Sequence, residues 1–186
     1  MAFDWARRHR KHVTAVHKAN VFHLSDALFL REVRKVPKEY PDVELDEKIV
    51  DAMAALLVRQ PDKFDCIVTG NMFGDILSDE ASEISGSLGP AGSVMAGDDA
   101  CCAQAQHGSA PDIAGQNKAN PTSLILSAAM LLDWLGDRHK RREFNQAARD
   151  IEAAIDAALQ KPETRTADLG GKLGTRAFAA DVAGRI

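Results

Sequence analysis

Several features that would place a protein in a broad class are scarce or missing in this chain of 186 residues. Three cysteines, Cys66, Cys101 and Cys102, are too few for a disulfide framework and favour a reducing compartment. The adjacent pair Cys101-Cys102 lacks metal-ligand spacing, so we expect it to be inert. No apolar run approaches the roughly 20 residues that span a membrane, and the basic amino terminus has no apolar signal core. The sequence therefore predicts a soluble, cytoplasmic protein that does not associate with membranes.

The chain also lacks an excess of positive charge. Lysine and arginine total 23 against 27 acidic residues, which gives a formal net charge of −4. Nucleic-acid-binding proteins usually carry a basic surface, so this balance argues against that class of partner. P-loop, HExxH and GxSxG patterns are absent, and Gly86, Gly89 and Gly92 do not have the spacing of a Rossmann fingerprint. The hydrophobic fraction of 45% still allows a sizeable core.

What is present is an alternation of strand and helix patterns, which is typical of an α/β protein. The patterns predict strands at residues 12–16, 43–45 and 64–69, and helices at 24–36, 49–58 and 72–84, the last capped by Asn71. Residues 86–120 are rich in Gly, Pro, Ser, Asn and Asp, so we expect loops with at most short strands. Helices at 121–135 and 141–159 follow, then a glycine-rich loop and a final short helix. The change in composition predicts a boundary between two parts of the chain near residue 86. Because the first residues read as the tail of a helix, we expect the chain to begin within a domain.

Two aspartates share one face of the predicted helix 72–84. Asp75 and Asp79 stand four positions apart, so their carboxylates leave the helix on the same side. Neighbouring carboxylates repel unless a cation lies between them, and hard oxygen ligands suit Mg²⁺ or Mn²⁺. The alternative is a solvated acidic helix start that interacts well with the helix dipole.

Lys18 and Asp51 are further candidates for chemistry. Lys18 directly follows a strand pattern, and a lysine that is partly desolvated there can lose its proton and act as a general base. The alternative is an ordinary surface lysine. Asp51 interrupts an apolar helix pattern, so its carboxylate must be exposed at a boundary, paired or bound to metal.

The segment HGSAPDIAG, residues 107–115, followed by Asn120-Pro121, is a candidate ligand-binding loop. Its small residues allow the backbone to approach a ligand closely, and Asp112 can accept hydrogen bonds from a ribose. A plain connecting loop remains the alternative.

Taken together and in order, the segments HKANV, VDAMA, TGNMFGDILSDEAS, HGSAPDIAG and DLGGKLGT resemble the β-decarboxylating dehydrogenases of the isopropylmalate/isocitrate dehydrogenase family. The resemblance covers essentially the whole chain, but only the carboxy-terminal half of the family's sequence. It implies an isopropylmalate dehydrogenase-like α/β fold, with residues 1–85 as part of the small dimerisation and metal-binding domain. Residues 86–186 then form part of the large NAD-binding domain.

The resemblance also implies a reaction, namely NAD-dependent oxidative decarboxylation of a 2-hydroxy di- or tricarboxylic acid. Lys18 and Asp51 are then catalytic residues, and Asp51, Asp75 and Asp79 hold Mg²⁺ or Mn²⁺. Asn20 lies near the nicotinamide, while Asp112 contacts the ribose of the adenosine. The other adenosine-binding residues are His107, Gly108, Ser109, Ala110, Ile113 and Asn120. NADP-using relatives carry a Lys-Tyr pair in place of Asp112-Ile113, so we predict NAD.

The family is dimeric, and residues matching Lys18 and Asp51 reach the site from the neighbouring subunit. We therefore expect a homodimer, with the helices of Asp51 and Phe73 at the interface. The family's substrate-binding arginines and its proton-donating tyrosine lie in the half that is missing here, because Tyr40 does not match that tyrosine. Gln104 also stands where many relatives have glutamate.

These departures indicate that the chain alone does not form a complete active site. A separate amino-terminal half is therefore a candidate partner. The favoured substrate is 3-isopropylmalate; isocitrate, homoisocitrate, tartrate and malate stay open, as does an inactive dimerisation or nucleotide-binding module.

Overall fold

The computed structural model describes residues 1–86 and 91–186. Contacts between Cα atoms divide the chain into two compact units, Met1–Ile84 and Ser85–Ile186. The first contains helix α1 (Ala2–Arg7), strand β1 (His12–His17), α2 (Ser25–Val33), β2 (Glu44–Ile49), α3 (Val50–Arg59), β3 (Cys66–Thr69) and α4 (Asn71–Ile84). The second contains β4 (Gly92–Ala96), β5 (Cys101–Ala105), α5 (Thr122–His139), α6 (Arg142–Leu159) and α7 (Thr175–Ala183). The predicted α/β class is confirmed.

The first unit is built on a parallel sheet with strand order β2-β1-β3. Side chains alternate across the central strand, so Val13 packs against Phe3 of α1 on one face. On the other face Val16 packs against Met53 of α3 and Leu77 of α4. The carboxyl ends of β1 and β2 are aligned, because His17 pairs with Ile49. Residues that follow these two strands therefore emerge at the same edge of the sheet.

In the second unit, strands β4 and β5 form an antiparallel pair that packs against α5. Serines of α5 fix this pair, since the Ser127 hydroxyl accepts from the Ser93 amide at 2.9 Å and donates to the Gln104 carbonyl at 2.6 Å. Helix α6 packs against α5 and buries Ile155 against Phe178 of α7. Helix α7 is thereby held on the same core.

The structure corrects several predicted boundaries. Helix α2 ends at Val33, and a short 3₁₀ segment at Val36–Glu39 replaces its predicted last turn, because Pro37 cannot continue the helical hydrogen bonding. Strand β2 continues beyond residue 45 to Ile49 through three charged positions, which an edge strand tolerates. Asn71 lies inside α4 and is not its cap. Helix α5 continues through Gly136 to His139.

The loop-rich region contains the short strands β4 and β5, as expected, while the part of this prediction that falls on residues 87–90 lies outside the described residues. Within residues 1–86 and 91–186, no helix has both the length and the apolar content to cross a membrane.

Candidate functional site

The first unit brings Lys18 and Asp51 into direct contact. Lys18 follows β1 and Asp51 lies in the first turn of α3, which follows β2, so both emerge at the same sheet edge. The Lys18 Nζ donates a hydrogen bond to Asp51 Oδ1. The lysine side chain is 23% exposed and the aspartate 59%. The hydrogen bond from Lys18 lowers the pKa of Asp51 below its usual value, so this carboxylate is ionised at neutral pH.

The backbone at Lys18 is fixed by a residue that sequence reasoning did not identify. Asp26 of α2 accepts a hydrogen bond from the Lys18 amide through Oδ2 at 2.6 Å. The Lys18 carbonyl in turn accepts from the Val21 and Phe22 amides, both at 2.8 Å. Asn20 lies exposed in the same turn. The signal for Asp26 was its place at the start of a helix that follows a loop, where aspartate often accepts from backbone amides.

Asp75 and Asp79 both lie exposed on α4, while Leu77 between them is buried in the core. The carboxylate oxygens of both residues are therefore accessible from solvent on one helix. Among residues 1–86 and 91–186, no three His, Cys, Asp or Glu side chains come together as a metal site. A single chain thus does not assemble Asp51 with Asp75 and Asp79, and this ligand set stays a prediction that the resemblance distributes over two subunits.

The second unit contains a cleft of about 640 Å³, within the range of small-molecule sites. Of the residues predicted to hold adenosine, it is lined by His107, Gly108, Ser109, Ala110, Ile113 and Asn120. Ala110 adopts φ 40°, a left-handed conformation that turns the loop into the 3₁₀ segment Pro111–Ile113. Asp112 is not among the lining residues. The loop therefore forms a concave surface, and the assignment of Asp112 to the ribose stays a prediction.

The far wall of the cleft comes from the carboxy-terminal segment, for which the sequence predicts no binding role. Asp168, Thr175 and Arg176 line the cleft together with Asn117 and Lys118. The Asn117 carbonyl accepts from the Thr175 amide at 3.1 Å, and its side-chain Oδ1 accepts from the Arg176 amide at 2.9 Å. The signal was the glycine-rich run itself, since Gly174 lets the two segments approach closely.

Asn120 ties the loop to this wall. Its Nδ2 donates to Asp168 Oδ2 at 2.9 Å, and its Oδ1 accepts from the Thr122 amide at 3.0 Å at the start of α5. The side chain is 8% exposed, so both ends of the amide are used inside the protein. Asn120 therefore shapes one side of the cleft and leaves the small residues of the loop to face its interior.

The profile of the family described as isocitrate/isopropylmalate dehydrogenase matches residues 1–183. An isocitrate/homoisocitrate dehydrogenase of Thermus thermophilus is 47% identical over 175 residues, which are 94% of this chain and 50% of that protein. A 3-isopropylmalate dehydrogenase of Methanothermobacter thermautotrophicus is 45% identical over 183 residues, covering 98% of this chain and 53% of that protein. The chain thus spans about half the length of the curated relatives it matches.

A crystal structure of isocitrate dehydrogenase from Methylococcus capsulatus superimposes with a TM-score of 0.90 at 44% identity. The match covers 99% of this chain and 53% of that one. The predicted fold, half of an isopropylmalate dehydrogenase-like α/β protein, is confirmed.

Proposed function

This chain belongs to the isocitrate/isopropylmalate dehydrogenase family, and from that premise we propose that it supplies the carboxy-terminal half of an NAD-dependent enzyme. The enzyme oxidises a 2-hydroxy acid and removes its β-carboxylate as CO₂. One observation carries the proposal: six residues of the loop singled out for adenosine binding line one cleft of about 640 Å³.

The cleft fits the adenosine part of NAD in size and in lining. Small side chains at Gly108, Ser109 and Ala110 let a planar base approach the backbone, and Ile113 provides an apolar contact. Asp112 lies within the same loop, and its negative charge supports NAD over NADP, because it would repel a 2′-phosphate. Asn20, in the turn after β1, belongs on the nicotinamide side in this proposal.

The acidic groups fit a divalent cation in chemistry. Asp75 and Asp79 offer carboxylate oxygens from one exposed helix face, and Asp51 is ionised, which suits Mg²⁺ or Mn²⁺. In our proposal, Asp75 and Asp79 of one subunit hold the ion together with Asp51 of its partner. A bound ion would supply Lewis-acid polarisation of the substrate hydroxyl and its adjoining carboxylate.

The Lys18–Asp51 pair supports a role in proton transfer. Lys18 Nζ is held in place by the Asp51 carboxylate, and the Asp26 hydrogen bond fixes the backbone below it. In this proposal the neutral form of Lys18 accepts the substrate's hydroxyl proton through an intervening water molecule, and the Asp51 carboxylate stabilises the ammonium ion that forms. Because Lys18 is already held in place, this costs little entropy.

We propose that the enzyme is a homodimer through α3 and α4. Val58, Met72 and Ile76 on these helices are 62%, 58% and 60% exposed, and large apolar side chains exposed in this number are typical of a protein interface. The substrate most consistent with the segments at 50–53 and 73–81 is 3-isopropylmalate. Relatives named for isocitrate and homoisocitrate share the family, so the test includes those acids.

The test joins the chain to an amino-terminal half of the family and measures turnover with NAD and Mg²⁺ or Mn²⁺. The substrates are 3-isopropylmalate, isocitrate, homoisocitrate, tartrate and malate, and we expect the highest kcat/KM for the first. Asp75→Asn should lower metal-dependent kcat at least about a hundredfold, because a ligand to the Lewis acid is lost.

Glu152→Gln is the matched control, since it removes one exposed negative charge from α6, outside every group proposed to act. It should leave turnover unchanged. Wild-type activity in Asp75→Asn, or no turnover with any of the five acids, would contradict the proposal.

A further inference from the structure

The first unit contains a cavity of its own, of about 340 Å³, beside the segment that joins β1 to α2. Its walls include three aromatic side chains from separate parts of the chain: Phe22 of the joining segment, Phe29 of α2 and Phe73 of α4. The ring centroids of Phe22 and Phe73 lie 6.3 Å apart, with the ring planes tilted by 38°. The cavity is large enough for a small molecule, and none of the roles proposed above uses it.

One carboxylate lies among these rings. Asp26 is half-buried at the start of α2 and is the one charged side chain among the described residues that line the cavity. Its Oδ2 accepts a hydrogen bond from the Lys18 amide at 2.6 Å, and its Oδ1 accepts from the Ser25 hydroxyl at 3.3 Å. Both donors are uncharged, so neither balances the charge of this carboxylate.

The half-buried carboxylates of the neighbouring strand β2 are balanced by cations. Asp46 accepts a hydrogen bond from Lys48 at 2.5 Å. Glu47 binds Arg34 at 2.6 Å. Removing a carboxylate from water is costly unless it is paired, so a cation that enters the cavity beside Asp26 would recover part of that cost.

The lining selects the chemistry of the ligand. The faces of aromatic rings attract cations, and the Asp26 carboxylate carries the same preference. A metal ion needs several oxygen ligands, whereas this cavity offers one carboxylate between apolar walls. An anion such as a hydroxy acid would be repelled by Asp26. The lining therefore suits a positively charged group that is attached to an apolar body.

We propose that this cavity binds a small organic cation, with its ammonium group against Asp26 and its apolar body between the rings of Phe22, Phe29 and Phe73. The site belongs to the first unit and is separate from the cleft that we assign to adenosine. A bound ammonium can donate a charge-assisted hydrogen bond to the same carboxylate that accepts from the Lys18 amide. Occupation of the cavity should therefore be detectable at the Lys18 backbone.

The experiment titrates the full chain with 2-phenylethylammonium and follows the backbone amide signals by two-dimensional NMR. Two ligands with the same ring serve as comparisons: neutral 2-phenylethanol and anionic 3-phenylpropanoate. A partly exposed charge pair contributes modestly, so we expect the ammonium to bind roughly threefold to fivefold more tightly than the alcohol, and the anion to bind most weakly. The Lys18 amide signal should shift on binding, because its hydrogen-bond acceptor is Asp26.

Two variants separate the charge from the rings. Asp26→Asn removes the charge but keeps an oxygen that can accept from the Lys18 amide, so the ammonium should then bind no more tightly than the alcohol. Phe22→Leu keeps an apolar side chain without a ring, and should weaken ammonium binding about twofold to fivefold. Asp62→Asn is the matched control, because Asp62 is an exposed carboxylate of the first unit that does not line the cavity. It should behave as wild type.

The ligand series uses the wild-type chain, so it tests the proposal even if Asp26→Asn fails to fold. Equal affinities for the ammonium and the alcohol, or binding that leaves the Lys18 amide signal unmoved, would overturn the proposal. Met72 lines the cavity and also lies on the surface that we propose for dimerisation. The titration is therefore repeated on Ile76→Lys. Binding in that variant alone would mean that a second copy of the chain covers the cavity, which would also overturn the proposal.

Discussion

Gly174 decides whether the two chain segments that line the cleft of the second unit can pack together. A Cβ atom at this position would lie 2.5 Å from both the Asn117 carbonyl oxygen and its Nδ2 atom. Cβ atoms in folded proteins essentially never come closer than about 3 Å to such atoms, so Gly174→Ala forces the segments apart. The glycine has an ordinary φ of −82°, so the close approach, and not the backbone conformation, requires it.

The cost follows from the two hydrogen bonds that the displacement stretches. The Thr175 amide binds the Asn117 carbonyl at 3.1 Å, and the Arg176 amide binds Asn117 Oδ1 at 2.9 Å. Each contributes about 0.5–1.5 kcal/mol, which sets the cost of losing both at about 1–3 kcal/mol. Replacing glycine by alanine also restricts the unfolded chain, which offsets about 0.4–1 kcal/mol. We therefore expect Gly174→Ala to lower the free energy of unfolding by about 1–2 kcal/mol and to weaken adenosine binding.

Urea unfolding followed by circular dichroism gives the stability, and calorimetry gives the affinity. Gly184→Ala is the matched control: its φ is −77° and its added Cβ would come no closer than 3.4 Å to another atom. That variant should be as stable as wild type or slightly more so, with unchanged binding. If Gly174→Ala matched Gly184→Ala in both measurements, the reasoning from close approach would be refuted.

Two further predictions concern the first unit. Ile76→Lys should convert the expected dimer to monomers in sedimentation velocity, because it places a charge in the apolar surface of α3 and α4. The control variant Leu124→Lys, at a residue 56% exposed on α5, should stay dimeric. If the Ile76→Lys variant were dimeric, this surface would be excluded as the dimer interface. Burial is the largest influence on the Asp46 carboxyl and would raise its pKa, but the hydrogen bonds and charges of its neighbours, above all the hydrogen bond from Lys48 at 2.5 Å, together outweigh burial and hold that pKa below its usual range. The pair therefore stabilises the fold above about pH 4 and loses its effect as pH falls through the lowered pKa, by less than about 1 kcal/mol because both groups are partly exposed. Asp46→Asn should be less stable than wild type at pH 7, and the difference should vanish near pH 2; a pH-independent difference would contradict this.

Helices with strong apolar spacing could be predicted closely from the sequence. Residues 141–159 predict a helix, and α6 is Arg142–Leu159, because its apolar face recurs over five turns and is buried against α7. Strand β2 could not be predicted over its whole length. Its charged run, Asp46-Glu47-Lys48, has no apolar periodicity, and these residues form a strand because β1 offers a partner for their backbone.

The candidate site divides in the same way. The segment at 107–115 identified one wall of the cleft, because small residues and a proline in a loop carry a local signal. The segment that forms the opposite wall carries almost no local sequence signal. Asp168 and Arg176 are 61 and 69 positions away from His107 in the chain, and only folding on α6 and α7 brings them to the same cleft.

The sequence by itself determined the α/β class and the family resemblance, because both depend on the order of short local patterns and motifs. It also singled out Lys18, Asp51, Asp75 and Asp79 by residue type. Tertiary structure alone decided that Lys18 pairs with Asp51, since that contact needs the parallel register of β1 and β2. It alone also decided which residues of the carboxy-terminal segment line the cleft of the second unit. The physical reason is that a contact between distant residues depends on the packing of the elements that carry them, which no local pattern of residues specifies.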